Sequence, residues 1–297
     1  MKRTFVSIGE CMVEMAPSGD STYRLGFAGD TLNTAWYAKR TFGADWDVAY
    51  LTAVGDDGIS RHMTDFIGDA GIRTDLIREV PGKTVGLYLI QLQDGERSFA
   101  YWRSDSAARR LAHDPAVLKA ALAGAGVVYF SGITLAILPA GDRTVLLDAI
   151  AQARRNGATV VFDPNLRPRL WDDLETMREA VMAAARVSDI ILPSHDDEAR
   201  FFGDPSPDAT ASRYAQAGAS LVVVKNGAGE IVSLERGEIG RHDPVRADGI
   251  VDTTAAGDSF NAGLLAAYLE RGDLAEAIGA GAGLAAYVIS RRGALVD

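Results

Sequence analysis

The feature that most constrains this chain is the alternation of two kinds of segment. Short apolar runs rich in β-branched residues, at 5–9, 48–53, 127–131, 159–163, 189–192 and 221–225, alternate with stretches of helical period at 31–41, 60–70, 142–156 and 174–185. Runs that are apolar almost throughout, rather than at every second position, suit strands buried on both faces. Such strands alternating with helices predict a mostly parallel central sheet with helices on both faces, a three-layer α/β fold. No fixed-period repeat, low-complexity tract or Pro/Ser linker divides the sequence. The expectation is therefore one domain over 1–297, with 205–207 a loop inside it.

Composition removes several function classes. The chain carries 30 Lys and Arg against 40 Asp and Glu, a net charge of −10. That balance argues against a nucleic-acid partner, which calls for clustered basic residues. Cys11 is the only cysteine, which excludes an internal disulfide and a thiolate metal cluster. His62, His113, His195 and His242 lack zinc-ligand spacing. The first apolar run meets Glu10 too early for a signal peptide, and no stretch approaches the roughly 20 apolar residues of a membrane helix. The cytoplasm is the expected compartment, with no membrane partner.

One region breaks the alternation. Strand-like runs at 84–92 and 97–103 flank Asp94-Gly95, a two-residue hairpin signal. With that turn, paired positions sum to 189, which sets Tyr88 opposite Tyr101 and puts Tyr88, Tyr101 and Arg103 on one face. Inserted in an α/β chain, such a hairpin would serve as a lid. An ordinary edge hairpin with aromatic cross-strand packing satisfies the same signal.

The most informative stretch is Asp252-Thr253-Thr254-Ala255-Ala256-Gly257-Asp258-Ser259-Phe260-Asn261-Ala262-Gly263, small residues leading into a helical pattern. A small-residue turn entering a helix presents free backbone N–H groups at the positive end of the dipole. Ala255, Ala256 and Gly257 carry little bulk, so phosphate oxygens would approach that backbone closely. Asp258, in the first helical turn, is placed to take a proton from an attacking hydroxyl. Taken alone, an Asp there also reads as a helix cap.

The full string resembles the C-terminal signature of the ribokinase-like (PfkB) carbohydrate kinases, Asp-Thr-x-small-Ala-Gly-Asp-x-Phe, with Ala255 where many members have Gly. The resemblance extends over essentially the whole chain. Gly26-Phe27-Ala28-Gly29-Asp30-Thr31-Leu32-Asn33 resembles the family's sugar-contacting element, with Asp30 in place of its second Gly. Gly29 would allow close backbone approach, and Asp30 and Asn33 would bind sugar hydroxyls; Asp30 or Thr31 capping the next helix is compatible with that. Lys225-Asn226-Gly227-Ala228-Gly229 is similar to the family's Lys-x-Gly-x-x-Gly nucleotide loop, one residue short, so that Glu230 stands at the last Gly. Pro193-Ser194-His195-Asp196-Asp197-Glu198 occupies the place of the Asn-x-x-Glu motif, whose acid helps organise magnesium. Ser194 and Asp197 match its two positions, with Glu198 adjacent.

Three further runs are similar to the keto-deoxy-acid sugar kinases of this family, those acting on 2-keto-3-deoxygluconate. They are Ile8-Gly9-Glu10-Cys11-Met12-Val13-Glu14, Tyr101-Trp102-Arg103, and the Asn-x-Arg-x-x-Leu-Trp run from Asn165 to Trp171. A sugar acid needs its carboxylate neutralised, and the planar fork of Arg suits that. Arg103 on the hairpin and Arg167 beyond a strand's carboxyl end are the candidates, with Tyr88 and Tyr101 beside them; Arg169 reads as a surface charge.

What the resemblance implies is a ribokinase-like fold with a β lid from segments around 10–28 and 84–104. The implied reaction is ATP-dependent phosphorylation of the sugar acid at its 6-hydroxyl, with Asp258 as base. The backbone at Ala255, Ala256 and Gly257 would stabilise the transferring phosphate. Asn165, Ser194, Lys225, Gly227 and Gly229 would hold the nucleotide, and Asp197 and Glu198 the Mg²⁺. A monovalent cation, K⁺, would lie near Asp252 and Thr254, and any homo-oligomer would form through the lid. The rival readings are a sibling kinase for fructose, ribose or a nucleoside, and a catalytically inactive sugar-acid sensor.

Overall fold

Phe5, Val6 and Ile8 of strand β1 (Arg3–Ile8) are all buried, Phe5 on one side of the sheet and Val6 and Ile8 on the other. That is the two-sided burial expected of a strand inside a three-layer α/β fold. The computed structural model describes residues 2–19, 21–93 and 96–297, with the side chains of 92, 93, 96 and 97 also left aside. The Asp94-Gly95 turn anticipated above lies outside the described residues.

The chain continues through β2 (Met12–Gly19), β3 (Thr22–Ala28), α1 (Asp30–Thr41), β4 (Trp46–Val54), α2 (Gly58–Asp69), β5 (Ile77–Glu79), β6 (Gly86–Gln93) and β7 (Glu96–Trp102). The middle comprises α3 (Pro115–Leu122), β8 (Val127–Ser131), α4 (Gly132–Ile137), α5 (Ala140–Arg155), β9 (Thr159–Asp163), α6 (Leu174–Arg186) and β10 (Ile190–Ile191). It ends with α7 (His195–Phe202), α8 (Pro207–Gln216), β11 (Leu221–Val224), β12 (Ile231–Glu235), β13 (Glu238–His242), α9 (Ala256–Arg271) and α10 (Leu274–Ile289).

Among the described residues, nine strands form one sheet in the order β13-β12-β11-β10-β9-β8-β1-β4-β5. It is parallel from β5 to β11, and β12 pairs antiparallel with both its neighbours. One core layer packs β1, β8 and β9 against α1, α9 and α10, and the other packs them against α3, α5, α6 and α8. Later strands are added on both sides of β1, a topological switch point, and open α/β sheets bind ligands beyond the carboxyl ends there. Those ends bring Gly9, Ser131, Asp163 and Lys225 to one edge.

Four strands among the described residues form a second, smaller sheet in the order β3-β2-β6-β7, in which β2 and β6 run parallel. The β6–β7 pairing sets Tyr88 against Tyr101, the register that a two-residue turn dictates. Across the sheet, Gly26, Glu14, Tyr88 and Tyr101 form one row.

Candidate active site

Helix α9 starts at the edge of the large sheet with an unusual entry. Its N-cap residue Ala255 is left-handed, at φ 61° and ψ 15°, and supplies no side-chain cap. The Ala256 amide donates to the Thr253 carbonyl at 3.3 Å, and the next first-turn N–H groups, those of Gly257 and Asp258, have no side-chain cap and suit an anion. A cation stands beside them: a Cβ built on Gly257 would lie 3.5 Å from Lys225 Nζ.

Lys225 is itself held in place. Its Nζ donates to Asp163 Oδ2 at 3.0 Å and to Asn261 Oδ1 at 3.1 Å. Asn261 Nδ2 donates to the same Asp163 oxygen at 2.6 Å and to Tyr129 Oη at 3.0 Å. Asp163 and Asn261 are buried, so the triangle joins the ends of β9 and β11 to the second turn of α9.

Next to this triangle, Asn33 Nδ2 donates to Asp258 Oδ2 at 2.8 Å. Asp30 Oδ2 accepts from Asn165 Nδ2 at 2.8 Å, and Asp30 Oδ1 from the Thr31 amide at 2.8 Å. Thr34 Oγ1 lies 3.2 Å from the Asp30 carbonyl oxygen and 3.4 Å from that of Asp258. The two carboxylates lie near enough for the charge of one to act on the other. Burial, then the charge of Asp30, push the Asp258 carboxyl up to about 8. Burial raises Asp30 as well, against the pull of its hydrogen bonds. A carboxylate near neutral pKa is suited to exchange a proton during turnover.

The small sheet carries the other polar cluster. Tyr88 Oη donates to Glu14, and its ring lies 6.0 Å from that of Tyr101. Just past β7, Arg103 is ion-paired with the fully buried Glu10, and Arg103 Nε is buried with no hydrogen-bond partner among the described residues. Arg167 is half exposed and lies 3.5 Å from Asp197.

Asp258, Gly257, Ala256, Ala255, Asp30, Asn33, Asn165 and Lys225 thus converge at the carboxyl edge. Asn165, expected on the nucleotide side, has its amide on Asp30. Gly227 and Gly229 fold a tight turn after Lys225, in which the Gly229 amide donates to the Asn226 carbonyl at 2.7 Å. Ser194 begins α7 without a side-chain cap bond and pairs in parallel with Lys225. Asp252 accepts from Thr254 Oγ1 at 2.7 Å and from the Gly293 amide at 2.9 Å, which fixes the loop before α9.

The expectation for Glu198 needs correction. Its side chain is fully buried, paired with Arg213 at 2.6 Å and accepting from Tyr214 Oη at 2.9 Å, both on α8. One helical step rotates it about 100° from Asp197, into the α7–α8 contact. Asp197 stays partly exposed, and the Asp163 and Lys225 charges act on it.

Sequence reasoning gave no role to Asp163, Asn261, Glu10 or Glu14. Asp163 at a strand's carboxyl end and Asn261 three residues after Asp258 were signals that were available. Glu10 and Glu14 gain meaning only from partners about 75 to 95 residues away.

Residues 2–297 match the pfkB family of carbohydrate kinases. A 2-dehydro-3-deoxygluconokinase from Dickeya dadantii is 40% identical over 296 residues, covering 97% of this chain and 95% of that protein. One from Haemophilus influenzae is 38% identical, covering 98% and 94%. Among solved structures, a PfkB protein from Polaromonas sp. JS666 superposes with a TM-score of 0.83 at 26% identity, covering 97% of this chain and 96% of that one. A 2-dehydro-3-deoxygluconokinase from Thermotoga maritima gives 0.84 at 21%, covering 99% and 96%, a likeness of fold. The chain belongs to the pfkB family of carbohydrate kinases.

Proposed function

We propose that the protein transfers the γ-phosphoryl group of ATP to the 6-hydroxyl of 2-dehydro-3-deoxygluconate (2-keto-3-deoxygluconate). The observation that carries the reading is the pairing of an uncapped α9 N-terminus with Asp258 in its first turn. That arrangement would put a phosphate site and a proton acceptor within one helical turn. The substrate assignment rests on the full-length relatives at 37–40% identity, which bear this name, whereas a Klebsiella pneumoniae fructokinase is 29% identical.

In this reading Asn33 orients Asp258, which takes the proton as the 6-hydroxyl oxygen bonds to phosphorus and the bond to the ADP oxygen breaks. Lys225 and the amides around Gly257 bind the transferring group, charge stabilisation being the main contribution a protein makes to phosphoryl transfer. Asp30 and Asn165 receive sugar hydroxyls, and Arg103 and Arg167 the carboxylate. The buried Arg103 Nε, without a partner among the described residues, supports this, since such a donor costs about 1–3 kcal/mol until a ligand or water accepts from it.

Among the described residues no group of three His, Cys, Asp or Glu forms a metal cage. That suits Mg²⁺, which keeps several waters and takes one or two carboxylates plus nucleotide phosphates. Asp197, with Asp163 near it, would hold the ion, which supplies neutralisation of phosphate charge. K⁺ near Asp252 and Thr254 remains the monovalent-cation reading, tested by exchanging it for Na⁺ in the assay. The small sheet would close as a lid over the sugar and also join copies of the chain. Among the described residues no helix is long and apolar enough to cross a membrane, in keeping with a cytoplasmic reading.

Asp258→Asn tests the mechanism. ATP and sugar binding should persist while kcat falls roughly 10²–10⁴-fold, the range for a positioned base. A variant that keeps most of the wild-type kcat would remove Asp258 from the chemistry.

A further inference from the structure

Glu10 stands where all four chain crossings between the two sheets meet. The chain leaves the large sheet at 9–11 and at 80–85, and leaves the small one at 29 and at 103–106. Glu10 lies on the first crossing. Its carbonyl oxygen packs so closely on Gly29 that a Cβ there would overlap it. A Cβ on Gly86, the first residue of β6, would lie 2.9 Å from Glu10 Oε1 and 3.2 Å from Arg103 Cβ. On the last crossing, Arg103 donates to Glu10 Oε2 and Ser106 Oγ to Glu10 Oε1.

The Glu10 side chain is fully buried and that of Arg103 is 12% exposed. Burying a carboxylate is strongly unfavourable unless its oxygens are satisfied, so the three groups act as a unit. Burial pushes the Glu10 carboxyl up, while Arg103 and Ser106 pull it down. A guanidinium is planar and rigid, so an acceptor that grips it at Nη2 also sets the direction of its other donors. Nε is among those donors, buried and without a partner among the described residues.

We infer that Glu10 is a positioning residue, a buried pivot that ties the small sheet to the body and aims Arg103 at the acid end of the sugar. This rests on the reading of Arg103 as a carboxylate contact. The pivot makes the sheet junction and the acid-binding group one structural unit.

The test compares kcat/KM for 2-dehydro-3-deoxygluconate with that for 3-deoxyfructose, in which a hydroxymethyl group replaces the carboxylate. Arg103→Lys keeps a cation on Glu10 and removes the fork. Glu10→Gln keeps the shape and an acceptor for Ser106 but loosens Arg103. Both should lower the acid-to-neutral ratio by about tenfold, through KM for the acid more than through kcat, the equivalent of one charge-assisted hydrogen bond. Ser106→Ala, a small change with little threat to folding, should lower the ratio at least about twofold by freeing one Glu10 oxygen. A ratio that falls in Arg103→Lys and stays at the wild-type value in Glu10→Gln and Ser106→Ala would overturn the pivot alone. A ratio unchanged in Arg103→Lys would overturn the carboxylate contact and the pivot with it. Should Glu10→Gln not fold, Ser106→Ala decides against Arg103→Lys in the same way.

Discussion

Asn33 Nδ2 lies 2.8 Å from Asp258 Oδ2, joining the first turn of α1 to the first turn of α9 across 225 residues of sequence. Asp30, one turn before Asn33, acts on the same carboxylate through its charge. The beginnings of two helices thus place one acid where it is oriented by an amide and opposed by a second acid.

That opposition predicts a stability gain on removing the acid. The folded-state pKa of Asp258 is about 8 against an ordinary 3.8. Because the folded value is raised, the folded state binds the proton more tightly. Its contribution to stability is complete below about pH 4 and is lost as pH rises toward about 8. Asp258→Asn should therefore melt at a higher temperature than wild type at pH 8, with the gap closing toward pH 4. Thermal unfolding across this range checks it, and a gap that grows on acidification would contradict it.

The same pair predicts a pH–rate shift. The charge of Asp30 is the second cause, after burial, of the raised Asp258 pKa. Asp30→Asn should move the acidic limb of the kcat/KM profile for the free enzyme to lower pH, whatever it does to the absolute rate. A limb that stays in place would separate the two acids.

The entry to α9 gives opposite predictions for neighbouring positions. Ala255 holds a left-handed conformation that disfavours a side chain by about 1–2 kcal/mol. Ala255→Gly should keep activity and raise stability by up to about 1 kcal/mol once the added freedom of the unfolded chain is counted. At Gly257 the protein itself has room for a methyl group. Gly257→Ala should unfold like wild type yet lose phosphoryl transfer, because the methyl would stand where the phosphate approaches the backbone beside Lys225 Nζ. Calorimetry and single-turnover kinetics on both variants separate the two effects.

The large sheet was legible because its strands are buried on both faces, so a run such as Val-Val-Tyr-Phe at 127–130 carries no alternation of polar and apolar residues. The Tyr88–Tyr101 register was legible because a two-residue turn leaves one pairing. The parallel pairing of β2 with β6 was not, since it joins segments some 70 residues apart with no local turn to fix it. In the site, Asp258 and Lys225 stood out through motif strings. The triangle that Lys225 makes with Asp163 and Asn261 did not, because each member alone reads as a strand-end acid, a turn lysine or a helix polar residue. Glu198 misled because adjacency in sequence is near-perpendicularity on a helix.

Arg167 offers a contrast with Arg103. It is half exposed and its ion pair with Asp197 is open to solvent, so that pair contributes at most about 1 kcal/mol. Arg167→Ala should fold normally and lower kcat/KM for the sugar acid about tenfold, with a smaller loss for 3-deoxyfructose. Equal losses on both substrates would take Arg167 out of acid recognition.

The most direct measurement is product formation from ATP with a matched panel of 2-dehydro-3-deoxygluconate, fructose, ribose and a nucleoside. The sugar acid should have the highest kcat/KM, and phosphorus NMR should place the new ester on its 6-oxygen. A higher kcat/KM for a neutral sugar or the nucleoside, or binding of the acid without any phosphorylated product, would contradict it.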